Sequence, residues 1–125
     1  MNLYFLSYNR DMKIDIVGNR IELTPALSSF IEKKMSSCAN LVKRFDIDGS
    51  LIIFFSIGNT TKHHKHGEVF IAEAMVHLPG KSIKVECTNT DVYAAIDEVK
   101  DGLKIELGKY KEKSSSRADR PNKFK

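Results

Sequence analysis

Tryptophan is absent from this 125-residue chain, proline occurs three times and cysteine twice. The two thiols, Cys38 and Cys87, are far apart and form no C-x-x-C pair, so they suggest neither a disulfide framework nor a cysteine-rich zinc module. Both sit at core-facing positions and read as small buried apolar groups. No apolar run approaches the ~20 residues a membrane helix needs. The opening MNLYFLSYNRD has no basic start, a short apolar part and no small-residue cleavage site, so it makes a poor signal peptide. A cytoplasmic protein is the expectation. Catalytic signatures are also missing: there is no G-x-G-x-x-G, G-x-x-x-x-G-K-[S/T], H-E-x-x-H or G-x-S-x-G. The carboxylates Asp97, Glu98 and Asp101 share one helical segment and read as a solvated face. Without tryptophan and with short loops, no deep pocket, cofactor, metal or small-molecule substrate is expected, and the chain is not read as an enzyme.

What the chain does carry is unevenly placed charge. The net charge is +4, and from Lys109 to Lys125 seven basic residues face only Glu112 and Asp119. That segment is therefore +5, leaving residues 1–108 at −1. A basic end on a nearly neutral body fits contact with a polyanion, and equally a solubilising tail.

The apolar pattern predicts one α+β domain. MKIDIVG (12–18) alternates as a half-buried strand. Thr24 and Pro25 form a helix start, followed by Leu27, Ile31, Met35, Cys38, Val42 and Phe45 at steps of three and four, a stripe spanning ~20 residues. LIIFFSI (51–57) reads as a strand apolar on both faces, GNTTKHHKHG (58–67) as a loop and EVFIAEAMVHL (68–78) as a strand with Phe70, Ala72, Ala74, Val76 and Leu78 inward. PGK turns into SIKVECT (82–88), closing a hairpin. Thr90 or Asp91 then caps a helix whose stripe is Val92, Ile96, Val99, Leu103, Leu107 and Tyr110. From Ser114 apolar periodicity stops, and residues 114–125 read as a basic, disordered tail. The order is β-α-β-β-β-α: a four-stranded sheet with both helices on one face. Basic residues of both helices would then share one outer surface.

His63, His64 and His66, between Lys62 and Lys65, invite a metal reading. They are too close together for a closed tetrahedral site without a fourth ligand, and neither cysteine is placed to supply one. Imidazole catalysis needs a partner and a pocket, which a glycine-bounded loop does not offer. A basic loop touching phosphates and a plain solvated turn stay open, with Lys62 and Lys65 carrying most of the charge near neutral pH.

MKIDIVGNRIELTPALSSFIEKKM (12–35) and AEAMVHLPGKSIKVECTNTDVYAAIDEVKDGLKIELGKYKEK (72–113) together resemble the ribosome hibernation-promoting factor / protein Y family. The most distinctive part is D-x-Y-x-A-I-D, at Asp91, Tyr93, Ala95, Ile96 and Asp97. The resemblance covers 12–113 and implies a fold similar to double-stranded RNA-binding domains. Residues 1–11 stand as an N-terminal extension. The resemblance is to the family's short form, without the second domain by which long members pair ribosomes. It implies a translation inhibitor that occupies the mRNA/tRNA channel of the small ribosomal subunit, contacts mainly 16S-type rRNA and stores inactive ribosomes under stress. The chain would be a monomer off the ribosome and ribosome-associated in the cytoplasm. The alternative is a stand-alone binder of structured or double-stranded RNA. Candidate RNA contacts are Lys33, Lys34, Lys43 and Arg44 on the first helix and Lys100, Lys104, Lys109, Lys111 and Lys113 on the second. Lys81 and Lys84 on the hairpin and Lys62 and Lys65 on the loop complete the set.

Overall fold

The computed structural model describes residues 2–8, 13–46, 51–60 and 69–119, with no side-chain description for 2–8, 60 and 114–119. Five strands form one sheet in chain order: β1 (Asn2–Tyr8), β2 (Lys13–Asn19), β3 (Ile52–Thr60), β4 (Val69–Leu78) and β5 (Lys81–Asn89). Two helices accompany it, α1 (Pro25–Ala39) between β2 and β3 and α2 (Val92–Asp119) after β5. The expected β-α-β-β-β-α order runs from β2 to α2 over four strands. Ahead of it, residues read as an extension add a fifth strand, β1, antiparallel to β2 with Phe5 opposite Ile16.

β2 and β3 pair in parallel, Ile14 beside Ile53 and Ile16 beside Phe55. Parallel neighbours need a crossover, and α1 supplies it. The remaining pairs are antiparallel, closed between β4 and β5 by Pro79–Gly80. Gly80 has φ +80°, the left-handed value that the second central position of a type II turn requires after proline.

The strand alternation buries Ile14 and Ile16, Ile53, Phe55 and Ile57, and Ala72, Ala74 and Val76 against Ile31, Met35 and Cys38 of α1 and Ile96, Val99 and Leu103 of α2. The alanines of β4 leave room for the helices. At the β5 edge Gly102 does the same for α2: a Cβ there would stand 2.9 Å from Val85 Cγ1. Phe70, expected inward, is only half-buried, at the end of β4.

Thr24 caps α1 as expected, its Oγ1 accepting from Leu27 N–H at 3.1 Å. Asp91 caps α2, its carboxylate accepting from Tyr93 N–H at 3.0 Å. Two helix lengths differ from the sequence reading. The first helix stops at Ala39. Leu41 and Val42 N–H then donate to Cys38 and Ala39 carbonyls at 3.0 Å each, a tightening to the three-residue step, and Lys43–Phe45 form a 3-10 turn. The apolar stripe survives this change, because Val42 is still fully buried. The second helix continues to Asp119, beyond the expected break at Ser114. The three serines lower helix propensity without ending the helix, Arg117 and Ala118 are good helix formers, and the first strong stop in the sequence is Pro121.

Candidate nucleic-acid interface

α1 and α2 run side by side in the same direction. Phe30 meets Tyr93, Lys34 meets Asp97, and Cys38 Sγ lies 3.7 Å from the Lys100 carbonyl, so each step along one helix is matched by a step along the other. Farther along, Phe45 meets Tyr110 edge to face at 5.0 Å. The pair presents a ridged outer surface on the side opposite the sheet.

The sequence-predicted cations fall into several groups. Lys33 is exposed on α1, and Lys34 beside it points toward α2. Lys100, Lys104 and Lys111 share the flank of α2 that faces α1, since steps of four and seven residues bring a helix back to nearly the same side. Lys109 lies nine residues beyond Lys100, ~2.5 turns, and so on the opposite flank. There Lys109 and Lys113 line a shallow cleft of about 550 Å³ with Lys81, Tyr110, Glu106 and Glu112. The second helix therefore serves two surfaces.

Lys43 and Arg44 are not on the first helix but on the 3-10 turn that follows it, where Arg44 lies over the Phe45 ring at 4.9 Å. They remain exposed at the end of the α1 ridge. Lys84 sits on the outward side of β5, in an ion pair with Glu73 at 3.1 Å, and belongs to the helix-free side of the sheet. Lys62, Lys65 and the three loop histidines lie outside the described residues.

Carboxylates organise part of this surface. Asp97 Oδ1 lies 3.3 Å from Lys34 Nζ and 3.5 Å from Lys100 Nζ, and Lys100 also reaches Asp101 at 2.8 Å. The hydrogen bond from Lys34, helped by the charge of Lys100, holds the Asp97 carboxyl below its ordinary range. The bond to Asp101 pushes Lys100 up, with Asp97 adding to it and partial burial opposing it. Both groups stay ionised across neutral pH. Lys34 also lies 5.1 Å from the Phe30 ring centroid. Sequence reasoning read Asp97 as one acid of a solvated face. Its spacing from Lys100 was legible as an i,i+3 pair, but the partner on α1 was not.

The arrangement offers cations at two helices and a hairpin, held by a rigid sheet, with no recess among the described residues that combines a nucleophile with a base. Lysines spaced along parallel ridges suit phosphate oxygens on two backbones, a recognition that needs shape and charge but no base-reading motif.

Comparison with known proteins gives the same direction. Residues 14–115 match the family described as Sigma 54 modulation protein / S30EA ribosomal protein. The chain is 32% identical over 102 residues to a Ribosome hibernation promoting factor of Klebsiella oxytoca, covering 82% of this chain and 96% of that protein. It is 30% identical, with the same coverage, to the factor of that name from Escherichia coli (strain K12). Among solved structures, the Thermus thermophilus Protein Y N-terminal domain aligns with a TM-score of 0.58 at 29% identity, covering 76% of this chain and 93% of that one. A ribosomal subunit interface protein from Coxiella burnetii has the same TM-score at 24% identity over 79% of this chain and 97% of its own, a likeness of fold alone.

Proposed function

The chain belongs to the Sigma 54 modulation protein / S30EA ribosomal protein family, and we propose that within it this protein is a translation inhibitor that docks its two-helix face on ribosomal RNA of the small subunit. It is a ribosome-associated factor by membership. The finer reading is that it fills the channel where mRNA and tRNA would lie and so keeps ribosomes inactive. It would act there as a monomer, in the cytoplasm and without cofactor or chemistry.

The observation that carries this reading is the parallel register of α1 and α2, which lines up Lys33 and Lys34 with Lys100 and Lys104 on one outer surface. Two parallel cationic ridges can meet two RNA backbones at once, while the sheet behind them fixes their spacing. Lys43 and Arg44 extend the first ridge. Lys81, Lys109 and Lys113 form a second surface at the α2 flank that could touch a neighbouring backbone. Its place on the helix-free side of the sheet, paired with Glu73, makes Lys84 the weakest of the candidates.

Co-sedimentation through a sucrose gradient tests the proposal. At low salt the protein should travel with small subunits and 70S ribosomes, and it should leave them steeply as salt rises, because each lysine–phosphate contact releases counterions. A protein that stays at the top of the gradient while binding a plain RNA duplex would instead be a stand-alone RNA binder.

A further inference from the structure

We propose that Asp97 is a selectivity residue of the RNA-binding face: it fixes Lys34 and Lys100 in place and repels phosphates that do not fit them. The inference rests on the RNA-docking reading above and concerns how that face tells one RNA from another.

A single carboxylate oxygen bridges cations that belong to different helices, at 3.3 Å to Lys34 and 3.5 Å to Lys100. The two ammonium groups are thereby held no farther apart than the sum of those distances, about 7 Å. Left alone, like charges at that spacing would drive the flexible side chains apart. Lys100 is held a second time, by Asp101 at 2.8 Å, and its side chain is only 18% exposed. Lys34 is restrained on its other side by the Phe30 ring. These are two lysines with little freedom, in contrast to Lys33 and Lys104, which are exposed.

Such restraint has opposite consequences for two kinds of RNA. A target whose phosphates match the fixed ammonium positions finds them already ordered, and the saved side-chain entropy offsets the repulsion from the carboxylate. An RNA that does not match gains nothing from the order and still meets the negative charge. Purely attractive lysines bind many polyanions, and a repulsive element placed among them sharpens the discrimination that spacing alone provides. Asp97 is 48% exposed at its side chain; Oδ1, which bridges the lysines, is covered, so an incoming phosphate meets the carboxylate at Oδ2.

The test compares wild type, Asp97→Asn and Asp97→Glu for binding to purified small ribosomal subunits and to a mixed-sequence RNA duplex, at one salt concentration. Asp97→Asn should bind the duplex about fivefold tighter, the effect of removing one nearby surface charge, while its affinity for the subunit stays unchanged. Asp97→Glu, which keeps the charge, should behave as wild type on both. Tightening on both RNAs alike, or on neither, would overturn the inference, since a simple repelling charge and a merely structural residue give those results. If melting curves show that Asp97→Asn has lost its fold, Asp101→Asn takes its place. It frees Lys100 alone and should give a smaller shift in the same direction, and no shift would overturn the inference. Wild type that ignores subunits altogether sinks the docking reading itself, a result distinct from wild type that binds them and a variant that gains nothing on duplex.

Discussion

Phe30 of α1 and Tyr93 of α2 meet edge to face, with ring centroids 4.8 Å apart and planes at 84°. The contact joins the second turn of α1 to the start of α2, so it sets their relative height, and the Lys34–Asp97 pair follows one turn later. Tyr93 is 41% exposed, and the ring rather than the hydroxyl makes the contact. Tyr93→Phe should therefore melt like wild type. Tyr93→Ala should lose about 1–2 kcal/mol, from the ring pair and its buried area. Thermal unfolding followed by circular dichroism distinguishes them, and an equal loss in both variants would shift the role to the hydroxyl.

The division of α2 lysines between two flanks gives a second expectation. Lys104→Glu reverses a charge on the ridge shared with α1, and Lys84→Glu does so on the helix-free side. In co-sedimentation over a salt series, Lys104→Glu should weaken ribosome binding and lower the slope of log affinity against log salt by about one. Lys84→Glu should leave the slope unaltered. Lys109→Glu, facing the cleft beside Lys81, reports whether the α2 flank touches RNA too; the proposal expects an intermediate loss. Equal losses at Lys84 and Lys104 would tell against the helix face.

Much of this was legible in the chain. The period-two alternation of Ile14 and Ile16 and the three-and-four spacing from Leu27 to Cys38 depend on local geometry, and both reappear as buried faces. The caps at Thr24 and Asp91 are equally local. What failed to show were features decided by neighbours. An apolar stripe continues through Val42 whether the backbone there is α-helical or 3-10, so the end of α1 and the true seat of Lys43 and Arg44 left no mark in periodicity. The helix beyond Ser114 has no apolar stripe in its sequence, so periodicity did not mark it. β1 is specified by pairing with β2, a contact no window of the first eleven residues contains. The role of Asp97 likewise depends on Lys34, which is brought near only by the side-by-side docking of two helices.

Tyr110 ties three elements together. Its hydroxyl donates to the Pro79 carbonyl at 2.8 Å, and its ring meets Phe45 of the 3-10 turn at 5.0 Å. The β4–β5 turn, which carries Lys81, is thereby held against α2. Tyr110→Phe removes the hydrogen bond and keeps the ring, and should cost about 0.5–1 kcal/mol because the bond is solvent-accessible. Hydrogen exchange should quicken at the Gly80 and Lys81 amides and stay unchanged in β2 and β3. A uniform acceleration over the sheet would mean that the bond supports the whole fold instead of the turn.

Cys38 yields a prediction at alkaline pH. Burial between α1 and α2 pushes its thiol from the ordinary 9.0 up to about 11, against the opposing pull of Lys104 and Lys100. The native state therefore keeps a proton that the unfolded chain releases near pH 9. Where the native state binds more protons than the unfolded one, stability falls as pH rises. The contribution should be fully present below pH 9 and decline toward pH 11, by about 2–3 kcal/mol over that window. Lysines titrate in the same range, so the measurement is a difference. Urea unfolding of wild type and Cys38→Ala at pH 8, 9, 10 and 11 should show wild type losing stability faster, whatever the cavity costs the variant at pH 8. Native alkylation gives an independent check: Cys87, half-buried on β5, should react first, and Cys38 only at the rate of unfolding. Parallel pH profiles for the two proteins, or rapid labelling of Cys38 in the folded state, would mean that the thiol is not sealed between the helices.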